Sequence, residues 1–163
     1  MTKIYLAHSI STRGEFEDSK RVANEIRALG FEVYAAAEND SINDKTNEPK
    51  PIDIYNGDVS EIMDCDIFVV NINGGLQDGT ISEIGVVAGI NECNHGWAGG
   101  YERYTTPIIA YTSNARLLQP QFYEGIASAS ANHLVLGVIS KWGSFIGDEQ
   151  AMLDELKRMK EDE

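Results

Sequence analysis

The chain has 163 residues, enough for one domain with a sizeable core, and its 42% hydrophobic and 24% charged content is that of an ordinary globular protein. Its 26 acidic against 13 basic residues give a net charge of −13, a surface that repels phosphate backbones and argues against nucleic acid as a partner. No apolar run approaches the roughly 18 residues of a membrane span, the N-terminus shows no signal-peptide cleavage pattern, and Cys65 and Cys93 lack the spacing of a disulfide framework or a zinc site. A cytoplasmic protein without metal or cofactor is expected.

Residues 3–7, Lys-Ile-Tyr-Leu-Ala, have the β-branched and aromatic character of a first strand. Phe16, Val22, Ile26 and Leu29 recur at helical spacing and predict a helix from about Arg13 to Leu29, stopped by Gly30. Thr12 and Glu15 make a capping box at its start. A second strand follows at 31–35, then a polar loop at 38–53 with Pro49 and Pro51, of the length that serves function or motion. A helix is expected from Ile54 to Asp64, and the run 66–72 is apolar enough for a central parallel strand.

A Gly-rich turn at 73–79 leads to a helix from Ile81 to about Glu92, another Gly-rich loop at 96–100 and a strand at 107–112. A helix is predicted near 120–129, residues 133–139 read as a fifth strand or short extended segment, and a helix at 147–160 closes the chain. Alternating strands and helices imply one α/β domain over 1–163, a five-stranded parallel sheet between two helical layers. Ligands bind such sheets at the carboxyl ends of the strands, which points to 7–13, 38–53 and 73–83.

The segment Asp78-Gly79-Thr80-Ile81-Ser82-Glu83 supplies the first chemical candidates. Thr80 and Glu83 have capping-box spacing, which is a sufficient structural reason for both. The functional reading places Glu83 in a first helical turn, where the terminus favours an ionised, nucleophilic carboxylate. Asp58 follows Ile-Tyr-Asn-Gly at 54–57 and has a surface charge or cap as its plain alternative. Tyr5 is a core residue by default, with a hydroxyl that needs a partner. His8 and His95 fall in predicted loops, as solvated side chains by default with ligand contact as the alternative, and Trp97 and Trp142 read as packing residues by default, with cover for a heterocycle or a subunit interface as alternatives. Dinucleotide-binding, P-loop and nucleophile-elbow patterns are absent.

Taken in order, Ile-Tyr-Leu-Ala at 4–7, Ile-Tyr-x-x-Asp at 54–58, Asp-Cys-Asp at 64–66 and Asp-Gly-Thr-x-x-Glu-x-Gly at 78–85 resemble the nucleoside 2-deoxyribosyltransferase family. The resemblance implies a flavodoxin-like (Rossmann-like) three-layer sandwich. It implies Glu83 as nucleophile, Asp58 and Asp78 as acidic residues of the nucleoside site, and Tyr5 as the tyrosine that holds the nucleophile. It also implies Ala7, Gln77, Gly79 and Asn132 as substrate-binding residues, Asn132 by way of a neighbouring subunit. The family's acidic residue stands six positions before the Glu, where this chain has Gln77, while Asp78 stands five before; either takes that position.

The implied reaction moves deoxyribose between bases with retention, with a deoxynucleoside and a free nucleobase as partners and a homo-oligomer sharing its sites. An N-glycosidase acting on deoxynucleosides or their 5′-monophosphates is the alternative on the same scaffold, with Ser9, Ser11, Arg13 or Ser82 near the 5′ position. The two differ in whether water reaches the sugar carbon. A non-catalytic nucleotide-binding module is a further alternative.

Overall fold

The computed structural model describes residues 1–44, 46, 48–73, 77–96, 104–128 and 131–162. Strand β1 (Lys3–Ala7) is followed by helix α1 (Arg13–Ala28), β2 (Glu32–Ala35), a 3₁₀ turn at Ala36–Glu38, the single helical turn α2 (Asp40–Asn43) and α3 (Pro51–Asp64). Then come β3 (Ile67–Asn71), α4 (Asp78–Gly96), β4 (Ile108–Tyr111), the short α5 (Ala115–Leu118) and a hairpin of β5 (Phe122–Tyr123) and β6 (Ile126–Ala127). Helix α6 (His133–Trp142) runs into β7 (Gly143–Phe145), and α7 (Glu149–Glu161) closes the fold.

The main sheet has the order β2-β1-β3-β4-β7, with every neighbouring pair parallel. Side chains on a strand alternate between faces, so each strand contributes to two cores. Ile4, Leu6, Val69 and Ile109 join Val22 and Ile26 of α1 and Met152 and Leu156 of α7 on one face. Tyr5, Ala7, Phe68, Val70 and Ala110 join Ile62 of α3, Ile84 and Val87 of α4 and Ile139 of α6 on the other. This is the three-layer α/β sandwich expected from the alternation of elements. Each fully buried aliphatic side chain contributes about 1.5–3 kcal/mol, so both faces are needed to offset the entropy of ordering the chain.

The Thr12–Glu15 capping box forms as read: Thr12 Oγ1 accepts from the Glu15 amide at 3.2 Å, and Glu15 Oε2 accepts from the Thr12 amide at 2.9 Å. Two expectations are corrected. Residues 133–139 are helical, capped by Asn132, whose Oδ1 accepts from the Leu134 amide at 2.9 Å; the fifth parallel strand is the following Gly143–Phe145. Gly143 is needed there, because a Cβ would lie 1.8 Å from the carbonyl oxygen of Ile108. The predicted helix at 120–129 is instead the β5–β6 hairpin. Its two-residue turn, Glu124-Gly125, has positive φ at both positions (49° and 82°), as a hairpin turn that matches strand twist requires.

Smaller differences bear on the site. Helix α3 begins at Pro51, because proline pre-sets the first helical position, so only part of the 38–53 segment is irregular. Helix α4 begins at Asp78, which places Thr80 inside the helix and buries it. The expected Thr80–Glu83 capping box therefore does not form. Most of the Gly-rich loop at 96–100, Trp97 with it, and residues 74–76 of the Gly-rich turn lie outside the described residues. No described helix is long and apolar enough to cross a membrane.

Candidate active site

Strands β1 and β3 are neighbours although β1 connects forward to β2, so the chain departs from β1 and β3 in different directions and leaves a crevice at their carboxyl ends. A cavity of about 210 Å³ opens there. Its walls come from the β1–α1 segment (His8, Ser9, Ile10, Ser11), from Ala36, Ile42 and Asn43, from Ile54 and Asp58 of α3, and from Gln77, Asp78, Gly79, Thr80 and Glu83.

Tyr5 lies in the middle of β1, fully buried, its ring stacked on Phe68 with centroids 5.4 Å apart. Its hydroxyl donates to Oε1 of Glu83 at 2.8 Å, pinning the carboxylate at the pocket wall. Tyr34 occupies the paired position on β2, and the two tyrosine rings are 5.2 Å apart. The Tyr34 hydroxyl donates to Oδ1 of Asp58 at 3.0 Å and accepts from Nδ2 of Asn39 at 3.1 Å. Two tyrosines side by side on one face of the sheet thus each hold one carboxylate. Burial and the nearby carboxylate charges push both phenols well above their ordinary range, so they remain protonated donors.

Burial pushes the Glu83 carboxyl up to about 8, the Tyr5 hydrogen bond pulls against this, and the charge of Asp58 adds to it. The helix terminus was expected to favour the ionised form; burial outweighs it. Asp58 is also raised, by burial first and by Glu61, with the Tyr34 hydrogen bond opposing. Both carboxyls thus hold a proton more readily than an exposed carboxylate, a property common among groups that exchange protons in a cleft.

Asp78 is exposed at the start of α4, with Oδ1 accepting from the Gly79 amide at 2.9 Å. Gln77 is buried, and its Oε1 accepts from the Asn73 amide at 3.1 Å. Ala7 is buried at the end of β1, one residue short of the wall. Asn132 is exposed as the cap of α6 and does not line this cavity. Ser82 donates to the Asp78 carbonyl at 2.7 Å, and neither it nor Arg13 lines the cavity.

His8 is buried, contrary to its reading as a solvated loop residue. Its Nδ1 donates to the Ser9 carbonyl at 2.7 Å, and its Nε2 accepts from Nδ2 of Asn71 at 2.9 Å and lies 3.3 Å from Oδ2 of Asp18. Sequence reasoning also missed Tyr34 and Asn39. The signal for Tyr34 was the parallel pairing of two strands, which sets it beside Tyr5.

The model of the family "Nucleoside 2-deoxyribosyltransferase" matches residues 4–155, nearly the whole chain. The chain belongs to this family. No curated protein sequence matches it. Among solved structures, a conserved protein from Enterococcus faecalis superposes with a TM-score of 0.75 at 22% identity, covering 98% of this chain and 99% of that one. A CMP N-glycosidase from Clostridium botulinum gives 0.58 at 16% identity, with 96% and 99% covered. A 2-deoxyribosyltransferase from Bacillus psychrosaccharolyticus gives 0.57 at 16% identity, with 93% and 90% covered. At these identities the structures establish the shared deoxyribosyltransferase fold.

Proposed function

We propose that this deoxyribosyltransferase-family chain moves 2-deoxyribose from one nucleobase to another through a covalent ester on Glu83. The observation that carries the reading is the Tyr5–Glu83 hydrogen bond at the cavity wall. It occupies Oε1 and leaves Oε2 for the sugar. Oε2 of the ionised carboxylate bonds to C1′, the C1′–N bond breaks, and its electron pair goes to the base, which takes a proton from Asp58 or Asp78. A ring nitrogen of the incoming base then attacks C1′, the ester pair returns to Glu83, and the proton returns to the acid. Two inversions give net retention.

The apolar walls from Ile10, Ala36, Ile42 and Ile54 favour a flat base over water, as transfer requires. A homo-oligomer completing the site is part of this reading, supported by Phe122, Tyr123, Ile126 and Leu134, all exposed and apolar. Sedimentation showing a monomer at working concentration would remove that part. Cytoplasmic nucleoside salvage is the matching role.

The test is deoxyinosine with free adenine, alongside deoxyinosine alone, with Glu83→Ala as control. Deoxyadenosine formed by the native chain and absent with Glu83→Ala is the expected result. Hypoxanthine released without a new nucleoside would favour the second reading, an N-glycosidase on deoxynucleosides or their 5′-monophosphates. That reading is supported by the Ser9 and Ser11 hydroxyls in the wall and by the likeness to a CMP N-glycosidase. No turnover of nucleosides or monophosphates would leave a non-catalytic binding module.

A further inference from the structure

Gln77 stands in the cavity wall at 8% exposure, and its amide has a fixed polarity. The group facing it inside the protein is the Asn73 backbone N–H, a donor only, so the atom 3.1 Å away is the carbonyl oxygen Oε1. Asn73 cannot turn to accept instead. Its own Oδ1 takes Thr112 Oγ1 at 3.0 Å and the Ser113 amide at 2.8 Å, and its carbonyl takes Nδ2 of Asn114 at 2.6 Å, which ties it to the end of β4. With Oε1 held, Nε2 of Gln77 is the free end, and it has no partner among the described residues.

Apart from Asn43, the other polar side chains of the wall do not offer an obligate donor. Asp58, Asp78 and Glu83 are carboxyl groups, and Ser9 and Ser11 are hydroxyls that donate or accept. Both nitrogens of His8 are engaged inside the protein. Asn43 commits one Nδ2 hydrogen to the Ala36 carbonyl at 2.6 Å, which ties its amide to the backbone and leaves one N–H beside its Oδ1 acceptor. Sugar hydroxyls can donate to the carboxylates. An amide N–H₂ needs an acceptor, and an amino group in its place is repelled and left unpaired.

We propose that Gln77 is a specificity-determining residue whose Nε2 donates to a carbonyl oxygen of the base, so that the site takes oxo-bases in preference to their amino counterparts. The proposal rests on the nucleoside reading of the same cavity. A glutamine at this point of the wall has a chemical consequence: Gln77 cannot protonate a leaving base, but it stabilises charge that gathers on a carbonyl oxygen as the base departs.

Two matched pairs separate oxo from amino recognition independently of ring size: deoxyuridine against deoxycytidine, and deoxyinosine against deoxyadenosine. Each is titrated calorimetrically, as nucleoside and as 5′-monophosphate, into the Glu83→Ala chain to prevent turnover, with and without Gln77→Glu. The substituted carboxylate still accepts from Asn73 but turns an acceptor to the cavity. The expected result is about tenfold or greater preference for the oxo member of each pair, erased or reversed by Gln77→Glu. Gln77→Met, which lacks the donor, should erase it too and guards against misfolding of the charged variant. Equal binding of both members, or equal weakening of both by the substitutions, would overturn the proposal while leaving the nucleoside reading intact. Absence of binding by every nucleoside and monophosphate would overturn both.

Discussion

The Tyr5 hydroxyl reaches Glu83 across 78 positions of sequence and holds Oε1 at 2.8 Å. Removing it with Tyr5→Phe keeps the ring stack on Phe68 but deletes a hydrogen bond that favours the ionised carboxylate. The expected loss in kcat is about 10- to 100-fold, worth roughly 1.4–2.8 kcal/mol of barrier, with a smaller change in KM. Steady-state kinetics of deoxyribosyl transfer would check it; an unchanged kcat would remove Tyr5 from the mechanism.

Glu83 also makes stability depend on pH. Its carboxyl keeps its proton in the folded protein up to about 8, whereas in the unfolded chain it titrates near the ordinary value of about 4.3. Below that ordinary value both states are neutral and nothing is lost. As pH rises from there to about 8 the unfolded chain binds fewer protons than the folded one, so stability falls; above 8 the loss is complete. Glu83→Gln should therefore match the native chain near pH 4 and exceed it at pH 8 by on the order of 2 kcal/mol, discounted for partial access to water. Urea titrations at both pH values read this directly.

The same proton governs catalysis. In the proposed reaction Glu83 must be ionised to attack, so kcat/KM should climb through neutral pH toward about 8. Because Asp58 raises Glu83, the two titrate as a pair, and Asp58→Asn should move the rising limb to lower pH. A limb unmoved by Asp58→Asn would separate the two groups.

Asn71 is fully buried and donates to Nε2 of His8 at 2.9 Å and to Oγ of Ser113 at 3.2 Å. Asn71→Ala leaves the imidazole acceptor without this donor beneath the cavity. A destabilisation of about 1–3 kcal/mol is expected by chemical denaturation.

Gly143→Ala should be the most damaging small substitution. The added methyl would lie 1.8 Å from the Ile108 carbonyl oxygen, backbone that cannot yield, so β7 must leave β4. A loss of at least about 3 kcal/mol, or failure to fold, is expected from thermal melts and expression.

Much of the architecture was legible because alternation and helical spacing report burial directly. Ile4 and Leu6 against Tyr5 and Ala7 already describe a strand with two buried faces. The 133–139 run misled because Val135, Val138 and Ile139 are β-branched, while the fact that favours helix, an exposed Leu134 and Leu136 beside a buried face, depends on tertiary contacts. The hairpin at Glu124-Gly125 was missed because glutamate is a poor signal for positive φ. In the site, Glu83, Asp58 and Asp78 were found by motif and do line one cavity. Tyr34 and buried His8 were not, since their roles follow from which strands become neighbours.

The placement of β1 inside the sheet, with β2 on one side and β3 on the other, has a consequence for the chain as it emerges from synthesis. A nascent chain that has made β2 has paired only one edge of β1, and Tyr5 has neither Phe68 nor Glu83 to meet. Glu83 and the tyrosine that holds it come together only when β3 and α4 have docked. On the proposed reaction, a partly made or partly unfolded chain that lacks β3 and α4 therefore presents no held carboxylate to a sugar.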